Sequence, residues 1–178
     1  MWGYRYVYKS FQDEYKFGAS ADLGFNSEFK LNSKLTMNVF FLNGEGYKKT
    51  QTSNGLFRGG LGITFKTSYK LSLRIHQDIT PRSTYTDTTD SQHISSASLA
   101  YSGINLSLGY EASLMQNADN IIADEEKSLM SIYGSYKLNQ DYTLFARYDD
   151  ATETSYDGSY TIYGVERKMA KGVTVALN

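Results

Sequence analysis

Apolar and polar residues alternate with a period of two through almost the whole of this chain, and such a pattern suits a β-sheet with one apolar and one polar face. The clearest run is "INLSLGYEASL", where Ile104, Leu106, Leu108, Tyr110, Ala112 and Leu114 alternate with Asn105, Ser107, Gly109, Glu111 and Ser113. "KLSLRIHQDIT" sets Leu71, Leu73, Ile75 and Ile79 against Ser72, Arg74, His76 and Asp78. In "KFGASADLGFNSEFK" Phe17, Leu23, Phe25 and Phe29 oppose Asp22, Asn26 and Glu28. "KLTMNVFFL" offers Leu35, Met37, Val39 and Phe41, and "LFRGGLGITFK" places Phe57, Leu61, Ile63 and Phe65 opposite Arg58, Gly60, Gly62, Thr64 and Lys66. "SSASLAY", "DYTLFARYDD" and "GVTVALN" continue the pattern, the second with Thr143, Phe145, Arg147 and Asp149 on its polar side. "KSLMSIYGSYK" and "SYTIYGVERK" are ambiguous in face. About ten strands and no helix are expected.

Composition supports strands and bounds the rest. The 178 residues suit one domain, and 16 Tyr, 9 Phe and 15 Gly stand beside a single Pro. Mean hydropathy is -0.46, and no run of about 18 apolar residues exists to form a transmembrane helix. A transmembrane β-barrel remains open, because its strands expose only alternate residues to lipid. A net charge of -1 supplies no basic field for nucleic acid. Without Cys, a metal would need carboxylates and the two histidines, His76 and His93. The opening "MWGYRYVYKS" lacks the basic start, apolar core and cleavage site of a secretory signal, as expected of a chain that is not exported or is mature or partial.

The connections alternate in length. Short links at 31–33, 67–68, 102–103, 139–140 and 170–171 alternate with long polar ones at 43–55, 81–92, 116–126 and 151–158. This is the pattern of an up-and-down antiparallel meander, and in an outer-membrane barrel the long loops face outside. Phe65, Tyr69, Tyr101, Tyr136 and Tyr142 gather beside the short turns, where an interfacial aromatic girdle belongs.

Catalytic signatures are sparse. G-x-S-x-G, H-E-x-x-H and the phosphate-binding P-loop are all missing. "GLFRGGLG" leads into no helix and reads as small residues on a crowded inner strand face. Matching apolar faces places Leu71, Leu73 and Ile75 beside Tyr101, Leu99 and Ala97. His76 then joins Ser96 and Ser98 on the polar face, while His93 falls on the other parity or in the loop, against a two-His metal site. His76 and Asp78 could form a base and its orienting carboxylate, but no signature nucleophile accompanies them. Asp119, Asp124, Glu125 and Glu126 fit no EF-hand spacing and read as a solvated loop. No cofactor or metal is implied.

The polar face as a whole says more. It collects Asp22, Glu28, Arg58, Lys66, Lys70, Arg74, His76, Asp78, Glu111, Arg147 and Asp149. Unpaired charge in a dry core costs several kcal/mol per group, so a water-filled interior is the economical reading. Both signs are present in similar numbers, so neither strong anion nor strong cation preference is expected. A soluble sheet with its polar face in bulk water is the competing explanation.

Three blocks, "WGYRYVYKSFQDEYKFGASADLG" (2–24), "LNGEGYKK" (42–49) and "YGVERKMAKGV" (163–173), resemble the outer-membrane porins of Bacteroidota, relatives of the phosphate-selective porin O and P group. The resemblance spans most of the chain but only about the C-terminal half of a typical member. It implies a β-barrel of roughly 16 to 18 strands, trimeric or monomeric, that lets small hydrophilic solutes diffuse across the bacterial outer membrane. Within it the stretch 2–18 looks like an external loop entering a strand. The inward face lacks the dominant basic row that phosphate selectivity would need.

The expectation is therefore an all-β antiparallel meander of about ten strands. It forms part of a transmembrane β-barrel, one porin domain over 1–178 that is incomplete at both ends. Its partners would be outer-membrane lipid and small solutes, with no nucleic acid and no enzymatic activity. The alternatives are a lipocalin-like soluble or surface barrel binding a small ligand and, third, an outer-membrane enzyme using His76 and Asp78.

Overall fold

A computed structural model of the chain describes residues 3–18, 21–44, 46, 57–67, 70–82, 90–118, 126–153 and 156–178. The alternating segments form a single ten-stranded sheet whose spatial order is the order of the sequence. Its strands are β1 (Gly24–Lys30), β2 (Leu35–Leu42), β3 (Arg58–Lys66), β4 (Leu71–Thr80) and β5 (Gln92–Ser102), then β6 (Leu106–Gln116), β7 (Lys127–Lys137), β8 (Tyr142–Glu153), β9 (Tyr156–Ala170) and β10 (Val173–Leu177). Every neighbouring pair is antiparallel. The chain is thus an all-β up-and-down meander, as its alternation leads one to expect.

Register carries the two faces from strand to strand, because directly opposed residues point to the same side. Arg74 opposes Ser98, Ser98 opposes Glu111, Glu111 opposes Ser131 and Ser131 opposes Asp149. The adjacent row runs Ile63, Ile75, Ala97, Ala112 and Met130. The pairing of Leu71, Leu73 and Ile75 with Tyr101, Leu99 and Ala97 is the one the matched apolar faces require. His93 lies opposite Ile79 and so faces away from His76.

The apolar face is the exposed one. Ile75 is 59% exposed, Ile132 50% and Leu108 49%. The opposite face is covered where the N-terminal segment, residues 3–18, crosses it. This segment contains one helical turn, α1 (Phe11–Glu14), which begins after Ser10 and carries Asp13 and Glu14 in its first turn. Acidic side chains there favour the exposed N–H groups of a helix start. Lys16, with φ 62°, then turns the chain.

Three sequence expectations are corrected. The helical turn was not anticipated, since four residues show no periodicity. The first strand begins at Gly24 rather than near Lys16, because the turn at Lys16 sends Phe17 into the core, where it is 3% exposed, instead of outward beside Phe25. The link expected at 151–158 is mostly strand: β8 runs to Glu153 and β9 starts at Tyr156, with Glu153 and Tyr156 opposed. Polar residues there continue the ladder because backbone pairing needs no apolar side chain. Tyr69, Asp119, Asp124 and Glu125 lie outside the described residues, as do most of the long links after β2, β4 and β6.

Short turns use a repeated device. Asn32 Oδ1 accepts from the backbone N–H of Lys34 (2.8 Å) and Leu35 (2.9 Å), and Asn139 Oδ1 does the same for Asp141 and Tyr142, both at 2.9 Å. Such side-chain turns fix the strand offset locally. Gly60 fixes it by contact: a Cβ there would lie 2.4 Å from the Phe40 ring and 2.7 Å from Asp78 Cβ. Gly60→Ala is therefore expected to destabilise the sheet by about 1–3 kcal/mol, read as a lowered midpoint in chemical denaturation.

Candidate functional site

The covered face of the sheet is the candidate site, and its organising elements are two arginines. Arg147 and Asp149 follow one another on the same side of β8, with side chains 1% and 0% exposed. Arg147 Nε donates to Asp149 Oδ1 at 2.7 Å, Nη2 donates to Oδ2, and Nη1 donates to the carbonyl of Lys9 at 2.6 Å. Ser131 Oγ completes the carboxylate's shell at 2.6 Å. On β3 and β4 the arrangement recurs. Arg58 Nε and Nη2 donate to Asp78 Oδ1 and Oδ2 at 2.9 and 2.7 Å, and Nη2 reaches the carbonyl of Phe17 at 3.1 Å. Each arginine is fixed by a carboxylate of its own wall and uses a spare N–H to hold the segment 3–18.

Apolar contacts complete the docking. Phe11 and Phe17 pack with Ile94, Met115, Ala118, Leu129 and Ala151. Phe145 and Ile162 receive Tyr4, Val7 and Tyr8. Tyr4 stacks on Phe145 with ring centroids 4.4 Å apart, and Tyr8 stacks on Tyr160 at 4.9 Å. Tyr6 donates its hydroxyl to Glu166. The stretch expected to be an external loop therefore lies across the inner face, because apolar side chains on the polar parity offer it somewhere to bury.

His76 belongs to the Arg58 network. Its Nε2 is 2.9 Å from Asp78 Oδ2, and its ring is parallel to Phe40 at 5.3 Å. Ser96, opposite His76 in register, pairs its hydroxyl with Ser113 at 2.7 Å. Arg74 donates to Thr64 Oγ1 at 3.2 Å and Asn38 Oδ1 at 2.7 Å, lying over Gly62, where a Cβ would be 2.6 Å from Nη2. Glu111 accepts from the Tyr133 hydroxyl. No group of three or more His, Cys, Asp or Glu suited to a metal occurs among the described residues.

The expected pore-lining residues divide into three groups. Arg58, Arg74, His76, Asp78, Glu111, Arg147 and Asp149 share the inner face and are brought together. Glu28 and Lys66 have the same parity but are exposed, and Lys70 is exposed just before β4. Asp22 closes the approach to β1, accepting from the N–H of Leu23 (2.8 Å) and Gly44 (2.7 Å). Of the aromatics at the short turns, Phe65 and Tyr136 are exposed on the outer face. Tyr101 opposes the outer-face residues Leu71 and Leu108, and Tyr142 lies under the Arg167 guanidinium at 5.3 Å. The inner apolar residues Ile94, Met115, Leu129, Phe145 and Ile162 were missed as docking points. Leu129 and Phe145, apolar on an otherwise polar parity, carried the available signal.

No protein-family model matches the chain, and no curated protein is significantly similar to it. Two outcomes test the clamps. Asp149→Asn leaves the Arg147 cation buried without a carboxylate and is expected to cost about 3–5 kcal/mol, measured by urea unfolding. Burial, and then the hydrogen bond with Glu14, pushes the Tyr8 phenol up to about 12. Its contribution to docking is complete below the free-phenol value of 10.0 and is lost as pH rises from there through about 12. Ultraviolet tyrosinate absorbance should therefore show a phenol that ionises late, together with release of the segment.

Proposed function

We propose that this chain is part of an outer-membrane porin, a β-barrel whose inner face lines a water-filled path for passive diffusion of small hydrophilic solutes while its outer face meets lipid. One observation carries the reading: the face that bears Ile75, Leu108 and Ile132 is exposed and largely apolar, with Asp150 and Arg167 as charged exceptions, while most charged side chains lie on the opposite face, which segment 3–18 covers in part. A soluble protein rarely exposes so large a continuous apolar surface, and a lipocalin-like barrel would turn it inward. Central strands of 10 to 12 residues match the roughly 9–11 needed by a tilted strand to cross the hydrocarbon. The outward aromatics beside the short turns suit an interfacial girdle, and Arg167 over Tyr142 can extend its charge toward headgroups.

In this reading segment 3–18 narrows the path, held by Arg58 and Arg147 without covalent links. With those two cations already neutralised, the wall has no strong field of one sign, which supports weak ion selectivity. No reaction is assigned to His76 and Asp78, since Asp78 is engaged by Arg58.

Protein containing this chain, purified and reconstituted in a planar bilayer, is expected to give discrete conductance steps with weak selectivity. Replacing 3–18 by a flexible Gly/Ser linker should raise the step size about twofold or more, as expected of a wider pore. A stable, water-soluble monomer that forms no channels would sink the reading.

A further inference from the structure

The inner-face arginines of the strands differ in what neutralises them. Arg58 and Arg147 each hold a carboxylate of the same wall. Arg74 does not: among the described residues its hydrogen-bond partners, Thr64 and Asn38, are neutral. A guanidinium carries five N–H donors, so Arg74 retains both net charge and donors for a solute. Gly62 beneath it keeps the group flat against the wall.

A carboxylate stands on the same cross-strand row. Arg74 opposes Ser98 on one side, and Glu111 opposes Ser98 on the other. Both line one cavity of about 460 Å³ between segment 3–18 and strands β3 to β6, with Ser98 between them, Ser72 beside Arg74 on β4, and Gln12 and Arg5 contributed by the segment, Arg5 being paired with Asp13 at 3.6 Å. The compartment therefore has a cationic end, an anionic end and hydroxyls along its floor.

Distance narrows the class of solute. Two strand spacings separate the backbones of Arg74 and Glu111 by roughly 10 Å. Arg74 leans further away, toward Asn38 on β2, whereas the Tyr133 hydroxyl comes to Glu111 across Gly109 on β6. A single amino acid is too short to meet both. An extended peptide of about three residues spans roughly 10 Å before its end-group contacts are added. A compact inorganic anion would use one end only.

We infer that this cavity binds short zwitterionic peptides, their terminal carboxylate on Arg74, their ammonium on Glu111 and their backbone along Ser98. The inference deepens the pore reading and rests on it for its physiological meaning, but binding and conductance are measured separately. Triglycine binding to the detergent-solubilised chain, followed by saturation-transfer NMR, is expected to weaken about tenfold in Arg74→Ala and in Glu111→Gln. Arg74→Lys should retain part of the affinity, because it keeps the charge without the fork. Triglycine blocked at both termini needs no variant and should not compete. Equal affinity for the blocked peptide, or no binding by the wild-type chain, overturns the inference. Conductance without peptide binding removes the site and leaves the pore, whereas peptide binding without conductance removes the pore reading and leaves the site.

Discussion

Cross-strand register is the constraint on which the rest of this structure depends. A slip of one residue between any two strands would move every side chain of one of them to the wrong face. Charges would then stand among Leu and Ile, and the inner rows would break. The registers are held by local devices and by shape. Asn32 and Asn139 fold back on the short turns, and Gly60 lets Phe40 and Asp78 close over it. The ladder then delivers Arg74, Ser98, Glu111, Ser131 and Asp149 to one row.

Covering a charged face is costly unless each buried charge is paired. The inner wall meets this condition at two places, and in both the arginine does double work. Its carboxylate partner neutralises it, while a spare N–H satisfies a backbone carbonyl of segment 3–18 that would otherwise be buried without a donor. Phe11, Phe17 and Tyr4 add apolar burial on either side of these contacts. The segment is thus seated by groups that also hold the wall together. Arg74 is outside this scheme: it donates to the neutral Thr64 and Asn38.

Much of the architecture was legible in the chain. The pairing of Leu73 with Leu99, the separation of His76 from His93 and the shared face of Arg58, Arg74, Asp78, Glu111 and Arg147 all follow from parity, which backbone geometry imposes on every strand. Asp22 shows the limit: it has the right parity but stands just outside a strand, where parity has no force, and instead accepts from the N–H groups of Leu23 and Gly44 at the end of the β1–β2 pair. Phe17 shows another, since a single residue with positive φ at Lys16 cancels an alternation that looked continuous.

The sequence by itself determined that this chain forms a two-faced antiparallel sheet and which residues share each face, because a period of two is a local property of the strand. Only the tertiary structure decided that the stretch before β1 lies across the inner face and that two of its arginines are neutralised there. Lys9 and Arg147 are 138 residues apart, and Phe11 meets Leu129 and Ala151 from the far end of the chain. Such contacts follow from how ten registers bring distant strands together, which no short window of residues encodes.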